Sequence, residues 1–208
     1  MVPMVKHLPA PLILASTSKY RQALLKEAGL SFKAVASLAD EKKHEVPGNP
    51  KATAALRARV KGEEVAMRFP GHIVIGADQV CALGLEIFGK ASSAVEAKAR
   101  LRQMSGKTHE LHSAFSLLYA VKTSDKQRSL PVVLFEEVVT IPMDMRPLTD
   151  QEIDDYLQTG EWQGVAGCYQ AENQGATLFT KPLDDLSAII GLPLNPLSRA
   201  LAAIKLPS

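Results

Sequence analysis

Short apolar runs alternate along the chain with longer stretches in which apolar residues recur every three or four positions. Residues 12–15 form the first run. Ser16, Thr17 and Ser18 follow it as caps for a helix whose apolar face uses Leu24, Leu25 and Ala28 and which Gly29 stops. Residues 31–36 alternate weakly like a strand, and residues 39–50 are polar, with Pro47, Gly48 and Pro50 marking a loop. The Ala- and Arg-rich stretch 52–68 predicts a helix that ends before Pro70 and Gly71. Residues 72–76 predict a buried strand that runs through Ala77, Asp78 and Gln79 into residues 80–83. Ser92 or Ser93 caps a helix through Met104, ended by Ser105 and Gly106. Residues 111–121 and 132–141 read as two long strands of an antiparallel hairpin joined by the polar loop 122–129. Thr149, with Glu152 three positions on, has the spacing of a capping box and opens a helix through Leu157. A Gly-rich segment, 160–175, follows, and an amphipathic helix over 195–204 closes the chain. Strands separated by helices, plus one long hairpin, predict an α/β fold on a mixed, twisted sheet.

Composition narrows the picture. The chain has 208 residues, 46% hydrophobic and 22% charged, which suits a single globular domain over residues 11–208 after an N-terminal tail, residues 1–10. The longest apolar runs fall far short of the roughly 20 residues that span a bilayer. No long apolar stretch near the N-terminus leads to a cleavage site. The expectation is a cytoplasmic protein with no membrane partner. Cys81 and Cys168 lie far apart without a CxxC pairing, so they read as small core hydrophobes rather than as a disulfide or zinc site. Lys and Arg number 24 against 22 Asp and Glu, a net charge of +2. That excess is too small for a protein that grips a nucleic acid polymer by many phosphates. An anionic substrate must be met by a few cations in particular places.

Some motifs imitate known chemistry. Residues 84–90 satisfy G-x-x-x-x-G-K, but Ala91 stands where a phosphate-binding loop needs a hydroxyl for magnesium, so the segment reads as a strand and turn. Ser105-Gly106-Lys107-Thr108 has Leu101 where the upstream glycine belongs and reads as a helix stop. His109 and His112 are spaced i, i+3 in a strand-like segment, the wrong spacing for a helical zinc pair. The informative positions are dispersed. Ser16, Ser18 and Arg21 lie where a strand end meets a helix start, and backbone N–H groups at such a junction attract anions. Asp78 follows an apolar strand, and in open α/β sheets the carboxyl ends of strands form the ligand crevice. Asp40 and Glu41 sit in a polar loop after another strand; if the two acidic positions converge, their carboxylates suit a magnesium ion whose other ligands are water. Lys61 and Lys90 are then local cations for phosphate.

Taken in order, Leu14-Ala15-Ser16-Thr17-Ser18-Lys19-Tyr20-Arg21, Asp40-Glu41, Lys61, Gly76-Ala77-Asp78-Gln79-Val80, Gly89-Lys90, Ser105-Gly106-Lys107-Thr108-His109, Ala166-Gly167 and Gly191-Leu192-Pro193 resemble the Maf-like nucleotide pyrophosphatases over nearly the whole chain. The resemblance implies a mixed α/β fold with a deep cleft, related to the inosine triphosphate pyrophosphatases. It implies hydrolysis of a nucleoside triphosphate between the α and β phosphates, with a divalent metal, Mg2+ or Mn2+, and a homodimer. By the same resemblance Asp78 is the general base, and Glu41 with Asp78 binds the metal. Ser16, Arg21, Lys61 and Lys90 hold the phosphates, the two lysines as part of the catalytic set. The sequence departs from the family pattern with Lys19 for a frequent Pro, Ala77 for Ser, Gly62 for Ala and Ala91 for Pro, all at supporting positions.

Tyr20, Gln79 and Glu172 resemble the aromatic, Gln and Glu of the branch similar to the 7-methyl-GTP pyrophosphatases, not the Arg, Thr and Gln of the branch acting on dTTP and UTP. Methylation at N7 makes guanine cationic, and an aromatic face attracts a cation by about 0.5 to 2 kcal/mol. A carboxylate accepts from the guanine N1–H and exocyclic amine together, a pair that thymine lacks. Gln79 can give or accept a hydrogen bond. The leading expectation is a metal-dependent pyrophosphatase for 7-methyl-GTP. The alternatives are a dTTP or UTP pyrophosphatase of the same family and a catalytically weak nucleotide-binding regulator, for which Lys19, Ala77 and Ala91 leave room. A kinase or GTPase of the phosphate-loop type loses to the missing hydroxyl at Ala91.

Overall fold

Asp78 and Gln79 do not interrupt the apolar run around them: Ile73–Leu83 is one continuous strand, β3, in a computed structural model that describes residues 7–121, 130–181 and 183–207. The other strands are β1 (Leu12–Leu14), β2 (Lys33–Ala34), β4 (Glu86–Phe88), β5 (Thr108–Tyr119) and β6 (Val132–Asp144), in the order β2-β1-β3-β5-β6 with β4 paired to β3. β1 is parallel to β2 and β3, and the remaining pairs are antiparallel. The sheet is therefore mixed, as the alternation of patterns predicts. β5 and β6 pair from Thr108↔Asp144 to Tyr119↔Val132, with a bulge at Leu117 and Leu118. The expected connecting loop, 122–129, lies outside the described residues.

The helices are α1 (Lys19–Glu27), α2 (Pro50–Arg68), α3 (Ala94–Met104), α4 (Asp150–Gln158), α5 (Leu186–Ile190) and α6 (Leu194–Ala203). α2 starts two residues before its Ala-rich pattern does. Asn49 caps it, with Oδ1 accepting from the Ala52 N–H at 2.9 Å, and Pro50 occupies the first turn, where an absent N–H costs nothing. The expected strand over 31–36 shrinks to two residues because its neighbour β1 offers only three. The capping box of Thr149 and Glu152 is present. α5 has no counterpart in the sequence pattern; five residues are too few to show a helical period. Among the described residues no helix is long and apolar enough to cross a membrane.

The imitating motifs resolve as the spacing predicts. Gly84, at φ +61°, turns β3 into β4, and no helix begins at Lys90. His109 and His112 fall on opposite faces of β5, where His109 Nε2 meets the Tyr169 hydroxyl at 2.7 Å and His112 Nδ1 meets Thr140 Oγ1 at 3.0 Å. Cys81 and Cys168 are buried free thiols, and burial pushes Cys81 up to about 12.

Apolar side chains fill both faces of the sheet. Leu14, Leu25, Phe115 and Leu197 lie in one cluster, Val65, Val74 and Leu118 in another, and Leu101, Met104, Tyr156 and Tyr169 in a third toward the β4 end. One contact governs the site. α2 packs backbone to backbone on β3, where Gly62 meets Gly76: a Cβ on Gly76 would lie 2.1 Å from the Ala58 carbonyl and 2.9 Å from the Gly62 nitrogen. Glycine inside a helix costs about 1 kcal/mol against alanine. Here Gly62 opposite Gly76 lets the two backbones approach closely, and it is at Gly76 that a side chain is shut out; the contact seats Lys61 over β3.

Candidate active site

β1 ends at Leu14, opposite Ile75, while β3 continues to Leu83. Asp78 thus lies mid-strand, not at a strand end, yet it extends past the end of its parallel neighbour, and that step opens a cleft of about 950 Å³. Ser16, Tyr20, Arg21, Glu41, Lys61, Asp78, Gln79 and Lys90 all line it. Glu172 lines an adjoining recess with Tyr20 and Gln79. The side chains expected to bind substrate or metal or to act in catalysis are therefore in the cleft or its recess, with Asp40 as the exception.

The strand-to-helix junction is built as its residues suggest. Ser18 caps α1 by accepting from the Arg21 N–H, and Ser16 Oγ accepts from the Ser18 N–H at 3.2 Å and from Arg21 Nη1 at 3.4 Å. Arg21 Nε donates to the Gly191 carbonyl at 2.9 Å, tying α1 to the end of α5. Burial pulls the Arg21 guanidinium below its ordinary value, while Asp78 and Glu41 oppose the shift.

Glu41 opens a short 3-10 helix, Glu41–Lys43, capped by Asp40, whose side chain accepts from the Lys42 N–H at 3.2 Å. Asp40 pairs with Lys43 at 3.6 Å and does not line the cleft. Lys61 Nζ lies 2.5 Å from Glu41 Oε1 and 2.7 Å from Asp78 Oδ1. The two acidic positions do converge, then, and one ammonium sits between them. For Glu41, burial acts to raise the carboxyl, but the hydrogen bond and charge of Lys61, with Lys90 and Arg21 beyond, outweigh it and hold the group below its usual range.

Lys90 follows β4 and is held by a bridge to Ala166, which brings the Gly-rich segment to the cleft wall. Lys42 and Arg57 also line the cleft, and the sequence reading missed both. Arg57 stands one turn before Lys61 on α2, a spacing that places the two on one helix face and was the available signal. Its Nε donates to the His44 carbonyl at 2.9 Å, which fixes the loop that carries Glu41. With Lys19, Arg21, Lys42, Arg57, Lys61 and Lys90 against Glu41, Glu45 and Asp78, the lining is net positive.

Gln79 differs from its expected versatility. Its Nε2 already donates to Ser113 Oγ at 3.2 Å and to the carbonyls of Ala188 and Ile189 at 3.0 and 2.8 Å. Only its carbonyl oxygen remains for a ligand. As for a metal, no cluster of three or more His, Cys, Asp or Glu side chains is present among the described residues. Two carboxylates fit a hard cation that keeps several waters and takes its remaining oxygens from a bound phosphate. Glu41 and Asp78 are the side chains that could hold it.

The model of the Maf-like protein family matches residues 11–204. A protein named nucleoside triphosphate pyrophosphatase from Rhodopseudomonas palustris is 42% identical over 203 residues, which is 95% of this chain and 96% of that one. Proteins named 7-methyl-GTP pyrophosphatase from Rhizobium johnstonii and Bartonella henselae are each 40% identical, over 91% and 89% of this chain and 94% and 91% of their own. The solved structure of a HAM1 protein from Coxiella burnetii aligns with 94% of this chain and 100% of its own, at 15% identity and a TM-score of 0.42. With a family model spanning the cleft-forming chain from residue 11 to residue 204, and relatives near 40% identity over nine-tenths of their length, the chain belongs to the Maf-like protein family.

Proposed function

We propose that the nucleoside triphosphate pyrophosphatase formed by this chain takes 7-methyl-GTP as substrate and hydrolyses the bond between its α and β phosphates, releasing the monophosphate and pyrophosphate. The observation that carries this reading is the meeting of Tyr20, Gln79 and Glu172 at one recess beside the charged cleft. An aromatic ring for a cationic base and two acceptors for its N1–H and exocyclic amine suit 7-methylguanine. Thymine and uracil present a single ring N–H between two carbonyls and no amine. The names of the Rhizobium johnstonii and Bartonella henselae relatives point the same way.

The chemistry follows from the cleft. Asp78 is the general base: its carboxylate takes a proton from water as the water oxygen bonds to phosphorus and the phosphoanhydride bond breaks toward pyrophosphate. Lys61, 2.7 Å away, donates a charge-assisted hydrogen bond to that largely buried carboxylate. Arg21, Ser16 and Lys90 receive the phosphate oxygens, with fixed charges in place before the substrate arrives. A divalent cation on Glu41 and Asp78, Mg2+ or Mn2+, supplies further charge neutralisation when bound. The test is pyrophosphate release from 7-methyl-GTP, GTP, dTTP, UTP and CTP. The highest kcat/KM is expected for 7-methyl-GTP; the highest value on dTTP or UTP would overturn the substrate and leave the reaction in place.

A further inference from the structure

We infer that Ser113 is a positioning residue for base recognition, which with the Ala188 and Ile189 carbonyls holds the Gln79 amide so that its carbonyl oxygen, and not its NH2, faces the cleft. Ser113 is completely buried on β5, directly opposite Gln79 in the strand register, and does not line the cleft or its recess. Its hydroxyl donates to the Ala188 carbonyl at 2.6 Å and so turns a lone pair to Gln79 Nε2 at 3.2 Å. The same nitrogen meets the Ala188 and Ile189 carbonyls at 3.0 and 2.8 Å. Two of these three partners are main-chain oxygens that can only accept, and Ser113, its proton already given away, can only accept as well. An inverted amide would set its oxygen against three acceptors and leave its NH2 without them, so inversion is closed.

The two carbonyls belong to the last turn of α5, where a five-residue helix has no later N–H groups of its own to offer them. Gln79 and Ser113 supply those donors. One hydroxyl thereby joins β5, the end of α5 and the side chain at the recess. Gln79 Oε1 accepts no hydrogen bond among the described residues and is not a buried unpartnered atom, so it opens onto the cavities that Gln79 lines. With Glu172, which lines the same recess, Gln79 brings a second acceptor there rather than its amide donor. Guanine presents two adjacent donors to such a pair; uracil presents one, flanked by carbonyls.

This inference rests on the recess being the base pocket, and the experiment separates the two. The quantity read is the ratio of kcat/KM for 7-methyl-GTP to that for UTP, in the full chain and in Ser113→Ala, Gln79→Ala and the double variant. Gln79→Ala is expected to lower the ratio about tenfold or more and Ser113→Ala about fivefold, the worth of one to two hydrogen bonds and of one, respectively. In the Gln79→Ala background, Ser113→Ala should change it less than about twofold, because the hydroxyl acts through the amide. Ser113→Ala leaves the Ala188 carbonyl bonded to Gln79, so the fold keeps its partners there. Should that variant not fold, Ser113→Cys, a weak partner of similar size, is expected to give the same loss. An unchanged ratio in Gln79→Ala overturns the base pocket itself. A lowered ratio in Gln79→Ala with none in Ser113→Ala, or a Ser113 effect that persists without Gln79, overturns the positioning role alone.

Discussion

Replacing Asp78 by asparagine keeps the shape of the side chain and removes the charge that Lys61 faces. The structure sets the size of the effect. Lys61 and Asp78 side chains are each 8% exposed and 2.7 Å apart, while Glu41, 2.5 Å from the same ammonium, is 52% exposed. Breaking a buried ion pair outright costs about 3 to 5 kcal/mol, because the remaining charge is left unpaired. Here Glu41 still neutralises Lys61 and the asparagine oxygen still accepts, so the loss falls to that of one charge-assisted hydrogen bond, about 1.5 to 3 kcal/mol. For a chain of this length that corresponds to a fall in Tm of about 3 to 12 °C. Turnover falls much further, since a lost general base costs about a hundredfold to ten-thousandfold. Thermal melts and far-UV circular dichroism, run beside saturating and subsaturating pyrophosphate-release assays, read both numbers. The expected variant is folded at the assay temperature, a few degrees less stable, and reduced in kcat by two orders of magnitude or more. A folded Asp78→Asn enzyme working within about threefold of the parent would refute the general-base role. An unchanged Tm would refute the coupling of Asp78 to Lys61.

Three further outcomes follow from single contacts. Tyr20→Ala should raise KM for 7-methyl-GTP by about two- to thirtyfold, the span of a cation–π contact, and leave KM for GTP, whose base is uncharged, nearly alone; equal rises for both nucleotides contradict the aromatic role. His109 is 1% exposed, and burial, against the pull of Asp144, holds it down at about 4. The unfolded chain takes up that proton first, near pH 6.5, so stability declines as pH falls from about 6.5 to 4 and the decline ends below that. The drop is at most about 3 kcal/mol, and Tm measured from pH 7.5 to 4.5 should flatten in His109→Gln; an equally steep profile in the variant refutes the assignment. Gly76→Ala should destabilise by several kcal/mol and lower kcat, because its Cβ would lie 2.1 Å from the Ala58 carbonyl and must push α2, with Lys61, away from β3; wild-type melting and turnover together would count against that packing.

The strand-to-helix junction at Ser16–Arg21 was legible because its signals are local: an apolar run, then hydroxyls that cap. Asp78 was legible for the same reason, as a charge set in an apolar strand, although the reason it reaches the cleft is the early end of β1, which only pairing reveals. The hydrogen bonds that make these residues a site are not local. Lys61 meets Asp78 across 17 positions, Gln79 meets Ile189 across 110, and Arg21 meets Gly191 across 170. Sequence periodicity carries no information about such separations. It also could not show α5, whose one turn is defined by the Asp185 cap and the partners of its last carbonyls rather than by an apolar stripe. Gln79 shows the consequence most plainly: its side chain type offers a donor and an acceptor, and the end of α5 removes the donor.

The charges of the cleft are ordered by the same non-local contacts. Counted from the sequence, Lys61 is one of a few cations that meet phosphate, and the near-neutral total of +2 is compatible with an anionic substrate because those few suffice. In the folded chain its ammonium lies between Glu41 and Asp78. Two carboxylates drawn together repel each other, and a cation between them offsets that repulsion. Lys61 is that cation, and its hydrogen bond and charge hold the Glu41 carboxyl below its usual range. On the function proposed above, its first task is thus to hold the two carboxylates side by side, where a general base and a cation ligand are needed. On the same proposed function, the groups freest to meet phosphate are Lys19, Lys42 and Lys90, which are exposed and form no ion pair among the described residues, and Arg21, whose bonds to Gly191 and Ser16 fix its direction. Bringing these together takes α1, the 3-10 turn, α2 and the segment after β4, each anchored by a different contact. A loss of packing at any one of them, far from the nucleotide, would displace charge in the cleft before it unfolded the chain.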